Sequence, residues 1–271
     1  MKISVDIASV FEAAQAYVML SRVESLDQLY ILGSLPENKL YASRKALEEL
    51  EYMNERSINR NPIPWDKETE GVIKLSSMNC MNLQNTHKDI MRDYTLMKSD
   101  ILMLQETWLL QQDSKKYEIP GYNIHFNNAG PGKGIAVYYK KEKFKHVTDI
   151  TQDQMQLTKF RSSEIDIITI YRSDKGNSVE LLNCIQSLIT NGRHTAICGD
   201  LNICYKSNRN NRITKYLEAT SYKQVVQRPT HVKGRLIDHF YHNVDTEVMV
   251  NQYTPYYADH DGICVIISTR M

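Results

Sequence analysis

The chain has 271 residues, with 33 Lys and Arg against 32 Asp and Glu, and its net charge of +1 gives no global field to attract a polyanion. Its five cysteines stand singly at positions 80, 184, 198, 204 and 264, which disfavours a zinc motif or a disulfide framework and fits a reducing compartment. No apolar stretch approaches the roughly 20 residues that span a bilayer, and MKISVDIASVFEAA at the start lacks the apolar core of a secretory signal, so a soluble, intracellular protein is expected.

In chain order, the first clear element is KLYASRKALEELEYMNE, where Leu40, Leu47, Leu50 and Met53 recur at helical intervals among charges. NERSINRNPIPWDKETE, residues 54–70, is polar, aperiodic and carries Pro62 and Pro64, as a linker does. The expected division is therefore 1–53, a linker over 54–70, and a main domain over 71–271. Past the linker come short apolar runs split by turns: VIKLSSMN, DILMLQE, YNIHFN, GIAVYYK, IDIITIYR, TAICGD, LIDHFYH and ICVIIS. Each reads as a strand, and HKDIMRDYTLMK and SVELLNCIQSLIT read as helices among them. DILMLQE, TAICGD and ICVIIS are apolar throughout, as strands covered on both faces are, whereas EIDIITI alternates. The mixture predicts two mixed sheets packed together and flanked by helices, a four-layered α/β (α+β) sandwich rather than a doubly wound sheet. Two lysine- and arginine-rich runs, KKEKFKH at 140–146 and KSNRNNR at 206–212, are the local basic patches.

Polar residues fall at the ends of these apolar runs. Asn79 ends the first and Glu106 the second; Tyr171 sits on a central strand; Asp200 and Asn202 close TAICGDLN; Asp238 lies in RLIDHFY; Asp259 and His260 precede the last. Taken singly, each has an ordinary role, as a strand-end cap, a surface acid, half-buried packing or a turn former after Gly199. A sandwich of these strands would bring all of them to one rim, where chemistry is commonly mounted.

In this order SSMNCMNL, DILMLQETWL, GIAVYYK, IYRS, ICGDLNI, PTHVKGRLIDHFY and YADHDGI resemble the endonuclease/exonuclease/phosphatase superfamily over about residues 72–271. Ala258 departs from the serine or threonine that often precedes the Asp-His pair there, and the domain is near the short end for this fold. The resemblance implies a divalent-metal-dependent phosphodiester hydrolase. Glu106, assisted by Asn79 and Asp259, would hold Mg2+, with Mn2+ as a substitute, since magnesium takes only one or two carboxylates and keeps its waters. Asp200 would orient or deprotonate the attacking water, with Asn202 on the same strand face. His260, kept cationic by Asp238, would donate to a phosphate oxygen. Tyr171 would place its hydroxyl near the phosphate, Arg172 would add a basic contact, and Asp261 would remain a turn residue before Gly262.

EAAQAYVMLSRVESLDQLYILG, residues 12–33, resembles the last conserved motif of superfamily-1 helicases of the Helitron and telomere-maintenance type, through Gln15, Tyr17, Val18, Leu20, Ser21 and Arg22. The resemblance assigns Arg22 as a finger on a nucleotide γ-phosphate within a complete helicase; a plain amphipathic helix is the other reading. No G-x-x-x-x-G-K-[ST] loop is present, so no independent helicase or ATPase activity is expected. The expectation is a helicase tail whose body lies upstream, joined to an endonuclease from a mobile element or virus. Its partner would be DNA, with RNA as an alternative, no membrane is involved, and the site of action would be nuclear. A phosphatase or phosphodiesterase of the same fold acting on a small phosphate ester, and an inactive nucleic-acid-binding remnant, are the alternatives.

Overall fold

In a computed structural model of the chain, the described residues are 3–9, 15, 28–33, 41, 43–45, 47–48, 71–110, 114–208 and 211–269. The helicase-like run from Tyr17 to Arg22 and the 54–70 linker lie outside them. The chain divides into two compact units, Met1–Asn61 and Pro62–Met271. In the first, β1 (Ile3–Val5) pairs in parallel with β2 (Leu29–Ile31). Within the expected amphipathic helix, Arg44, Lys45, Leu47 and Glu48 are helical, and Arg44 Nε meets Glu48 Oε1 at 2.9 Å, one turn on.

The second unit runs β3 (Val72–Asn79), α1 (Leu83–Arg92), β4 (Ile101–Gln105), β5 (Asn123–Asn127), β6 (Ile135–Tyr139), β7 (Lys145–Gln152) and β8 (Met155–Arg161). It continues with β9 (Ile165–Arg172), α2 (Ser178–Leu188), β10 (His194–Asp200), α3 (Arg212–Ala219), β11 (Lys223–Gln224), β12 (Asp238–His242), β13 (Val248–Tyr253) and β14 (Gly262–Ser268). Two six-stranded mixed sheets result, ordered β13-β14-β3-β4-β6-β5 and β11-β12-β10-β9-β8-β7.

Strand alternation explains the layering. In β4, Ile101 and Met103 enter the core between the sheets, while Leu102 and Leu104 pack with Leu83 and Ile90 of α1 on the outer face. In β9, Ile165 and Ile167 join the same inner core, and Ile168 and Ile170 meet Leu181 and Ile185 of α2 and Ile213 and Leu217 of α3. Helix, sheet, sheet and helix pair therefore stack as the four-layered α/β sandwich that the strand pattern predicts. The helices are capped as their sequences dictate: the Asn177 side chain accepts from the amides of Val179 and Glu180, and that of Asn211 from Thr214.

Strands β7, β8, β11 and β13 and helix α3 fall outside the apolar runs. KHVTDITQ in β7 is an edge strand exposed along much of its length, so it has no hydrophobic signature. MQLTKFR in β8 is buried, yet it hides polar groups that pair with residues outside the strand: Gln156 Oε1 accepts from the Gly134 amide at 3.2 Å, and Lys159 Nζ meets Asp166 Oδ2 at 2.9 Å.

Candidate active site

The row of side chains that forms the inner core turns polar at one end of the sandwich. One step out from the apolar layer, Gln105 Nε2 donates to Ser77 Oγ at 3.2 Å and to Thr169 Oγ1 at 3.0 Å. Beyond it the same faces carry Asn79, Tyr171, Asp200 and Asp238. Asp200 stands in register with Tyr171 of β9 on one side and Asp238 of β12 on the other, so all three project together. Asn79 lies opposite Gln105, and Glu106 follows that residue.

The backbone bends sharply where these strands end. Glu106 has φ 53°, Trp108 60° and Asn202 50°, in the left-handed region that non-glycine residues occupy sparingly and that clusters at functional sites. The Glu106 carbonyl is held by the Asn82 amide at 2.8 Å. Gly199, in ICGDLN, has φ 126°, and a Cβ there would lie 2.0 Å from the Ile170 carbonyl oxygen, so only glycine lets β10 run this close to β9.

A single amide ties the acids together. Asn79 Nδ2 donates to Glu106 Oε1 at 2.9 Å and to Asp200 Oδ2 at 3.0 Å, while its Oδ1 accepts from the Met81 amide at 3.0 Å. This arrangement turns the amide nitrogen of Asn79, rather than its oxygen, toward the two carboxylates. The second oxygen of Glu106 accepts from Trp108 Nε1 at 3.1 Å. Asp200 Oδ1 accepts from the Asn202 amide at 2.8 Å, and Asn202 Nδ2 donates to the Arg172 carbonyl at 2.9 Å. His260 Nδ1 meets Asp238 Oδ2 at 2.8 Å, with both side chains buried. The Tyr171 hydroxyl donates to the Gly132 carbonyl at 2.7 Å.

Asn79, Glu106, Tyr171, Asp200 and Asn202 line one cleft of about 320 Å³ together with Asp259 and His260. Asp238 stands behind His260. Arg22, the remaining sequence candidate, lies outside the described residues.

Burial, then the neighbouring Asp238 carboxylate, hold the Asp200 carboxyl well above the usual carboxylate range, against the opposing pull of His260 and of the Asn202 and Asn79 hydrogen bonds. Burial alone would lower His260, but the charge and hydrogen bond of Asp238, followed by Asp200 and Asp259, push it up to about 10. Tyr171 is driven upward by burial and by the Glu106 and Asp200 charges, which keeps it a neutral phenol.

Among the cleft residues outside the sequence candidates are His231, Lys233 and Arg235, all within PTHVKGRLIDHFY. His231 forms an isolated β-bridge with His260, and the two rings meet edge to face with centroids 4.7 Å apart. The Lys233 amide donates to His231 Nδ1 at 3.0 Å, which turns Nε2 toward Asp259 Oδ2 at 3.4 Å. Burial and the His260 charge lower the His231 pKa, so it stays neutral beside its cationic neighbour. The placement of a histidine in that motif, just before two basic residues, was the available signal.

Arg172 serves the framework instead of the cleft. Its guanidinium is buried and donates to the carbonyls of Gly176 and Leu201, at 2.9 Å from Nε and Nη1 respectively. Asp261 is more than a turn residue: its carboxylate accepts from Gln252 Nε2 at 2.8 Å and Thr254 Oγ1 at 2.6 Å. Gly262 is required sterically, since a Cβ would fall 2.4 Å from the Tyr253 ring. In the first basic run, Lys143 pairs with Asp100 at 2.7 Å and Lys140 lies 4.1 Å over the Tyr122 ring, so both are committed to local structure.

The donor set suits a hard divalent cation. Asp200, Asp238 and Asp259 gather about one cationic imidazole, Glu106 lines the same cleft, and the buried oxygens Asp238 Oδ1 and Asp259 Oδ1 accept no hydrogen bond. Ligating atoms of Asp200, Asp238 and His260 lie within 4.8 Å of one another, as do those of His231, Asp259 and His260. Oxygen donors of this kind and excess negative charge match the preference of magnesium-like ions.

Among solved structures, the chain is similar to the endonuclease domain of TRAS1, a telomere-specific non-LTR retrotransposon (14% identity, 74% of this chain and 100% of that one, TM-score 0.58). It is likewise similar to an AP endonuclease from Archaeoglobus fulgidus (14%, 72% and 99%, TM-score 0.58). A mannosyl-6-phosphatase of Bacteroides thetaiotaomicron shares the fold as well (14%, 72% and 99%, TM-score 0.53). No curated protein matches the sequence. The model of the Endonuclease/Exonuclease/phosphatase family matches residues 82–260, which hold the whole β11-β12-β10-β9-β8-β7 sheet and most of the cleft, and the chain belongs to that family.

Proposed function

We propose that the second unit is a divalent-metal-dependent endonuclease that hydrolyses phosphodiester bonds in DNA. Members of the family are hydrolases and are generally dependent on a divalent metal. The observation that carries the reading is the shared amide of Asn79, which sets Glu106 and Asp200 side by side in a cleft whose far wall is the Asp238-supported imidazolium of His260.

Glu106 and Asp259 would hold the ion, Mg2+ or Mn2+, with Asn79 fixing the Glu106 carboxylate. When bound, the ion supplies positive charge to the nonbridging oxygens and the departing alkoxide. Asp200, oriented by the Asn202 amide, takes a proton from the attacking water. With Nδ1 engaged by Asp238, His260 presents Nε2–H to a phosphate oxygen as charge builds there. Tyr171, a neutral phenol, keeps its hydroxyl as a donor beside the two carboxylates. Lys233 and Arg235, exposed at the mouth, meet flanking phosphates.

The same two basic residues favour a second reading, a phosphatase of this fold acting on a small phosphate ester. Purified chain incubated with supercoiled plasmid and Mg2+ separates the two. The endonuclease reading expects nicking, reduced about a hundredfold or more by Asp200→Asn or His260→Ala. Plasmid left intact across metals and pH, beside efficient phosphate release from a small monoester, would favour the phosphatase.

For the first unit we propose the tail of a superfamily-1 helicase, with domain limits of 1–53, 54–70 and 71–271, in a nuclear protein of a mobile element or virus. The motif around Arg22 and the division of the chain after Asn61 support it. Isolation of a longer transcript that encodes an upstream Walker loop in the same frame would test it; a native start at Met1 would count against it.

A further inference from the structure

A second cluster of metal-binding side chains lies on edge strands of both sheets, away from the cleft-lining residues. His125 belongs to β5, the edge of one sheet, while His146 and Asp149 belong to β7, the edge of the other. In a regular strand, residues three apart face opposite sides. Here the β7–β8 register shifts between His146 and Thr148, so Val147 is an extra residue and the alternation resets. His146 and Asp149 consequently face the same way, toward His125 across the gap between the sheets. Bulges commonly re-aim a side chain in this manner.

Both imidazoles converge on one carboxylate. His125 Nε2 lies 2.8 Å from Asp149 Oδ2, and His146 Nε2 lies 3.2 Å from Asp149 Oδ1. All three ligating atoms fall within 4.8 Å of one another, and the side chains are 21%, 30% and 28% exposed, which leaves a face open to solvent. The two rings are stacked, with centroids 3.8 Å apart and planes 24° from parallel. Protonating both would set like charges face to face with a single carboxylate to compensate.

We infer that His125, His146 and Asp149 bind a zinc-class divalent ion that clasps the two edge strands, with water in its fourth position. Two imidazole nitrogens and one carboxylate form a borderline ligand set that suits zinc, whereas the oxygen-rich cleft suits magnesium. Tetrahedral Zn–N and Zn–O bonds place ligand atoms about 3.4 Å apart. The observed 2.8 and 3.2 Å separations need only a slight opening. The broad χ2 torsion of histidine allows these part-exposed rings to splay onto one ion. Burial would raise the Asp149 carboxyl, but hydrogen bonds from His125, Thr158 and His146 and the His125 charge hold it below the usual range, so the carboxylate is ionised and ready to coordinate. Zinc would take the place of the proton at each Nε2, the neutral rings then carrying their single proton on Nδ1. Because the ion binds only the folded arrangement, it stabilises the fold by an amount that grows with the logarithm of its free concentration above the dissociation constant.

The test is a zinc chloride titration of the full chain in excess Mg2+, followed by ring 1H–15N NMR of the histidines and by thermal melting. The first equivalent is expected to shift the His125 and His146 Nε2 signals together and to raise Tm. Asp149→Asn, which keeps the shape of the side chain, is expected to lower zinc affinity beyond the roughly tenfold to hundredfold that removing an outer partner costs. His146→Ala is expected to abolish the Tm rise while plasmid nicking in Mg2+ is retained. Zinc that shifts neither ring, or a Tm rise that persists in His146→Ala, would overturn the inference.

Discussion

Asp238→Asn isolates the electrostatic core of the site, because it keeps the shape of the side chain and removes one charge. In the folded chain His260 rises from an ordinary 6.5 to about 10 despite a side chain only 7% exposed. At 1.36 kcal/mol per pKa unit, its surroundings favour the cation by on the order of 5 kcal/mol, with Asp238 the leading contributor. Without that carboxylate the burial that opposes charge remains, and only the smaller influences of Asp200 and Asp259 counter it. The ring is then expected to titrate several units lower, near or below 6.5, and to be largely neutral above neutral pH. Nicking at pH 8 should fall about a hundredfold, the usual loss when one electrostatic stabiliser is removed. The variant should also recover part of its rate as the pH is lowered to 6, whereas the native enzyme should not gain. The assay is a pH–rate profile of plasmid nicking at fixed Mg2+, paired with 15N NMR titration of His260 in the metal-free protein. A native His260 that titrates below 7, or a variant whose pH profile overlays the native one, would refute the reasoning.

Other expectations follow from the same geometry. Glu106→Gln keeps the acceptor oxygen that Asn79 reaches but lowers the charge of the donor set, so nicking should drop about a hundredfold and require more Mg2+, with Tm little changed. Gly199→Ala forces a Cβ to within 2.0 Å of the Ile170 oxygen at a positive φ, and urea melts should show a loss of about 3 kcal/mol or more. Both His260 and Asp200 have folded pKa values raised above their unfolded ones, so the folded chain binds the extra protons. For His260 this stabilisation is complete below 6.5 and is lost as pH rises through about 10; the Asp200 contribution has the same sign and begins to fade from 3.8 upward. Metal-free Tm should therefore fall steadily between pH 6 and 10, and a rise over that interval would contradict the assigned shifts.

Strands covered on both faces were the most legible part of the fold. ILMLQ sends alternate residues into two cores, and its shortness and flanking turns favour a strand buried on both faces over a helix. The polar ends of such strands mark the site for the same reason: Asn79, Asp200 and Asp238 occupy inner positions where apolar residues would otherwise continue the core. Less legible were groups whose partners are distant in sequence. KHVTDITQ gives no periodic signal because it is an exposed edge, and its bulge depends on pairing with β8. His231 acquires its position through a β-bridge to His260, and Arg172 reads as a substrate contact until the carbonyls of Gly176 and Leu201 are seen to enclose it. A basic or imidazole side chain announces its chemistry in sequence but not the direction in which it points.

Side chains dispersed from Asn79 to His260 are proposed to build one cation-dependent hydrolytic centre. Anomalous diffraction from crystals grown with Mn2+ and a short phosphorothioate DNA duplex tests it directly. A manganese peak coordinated by the Glu106 carboxylate is expected, with a DNA phosphate between it and His260. A peak lodged elsewhere, with Glu106 and Asp200 away from the backbone of the duplex, would contradict it.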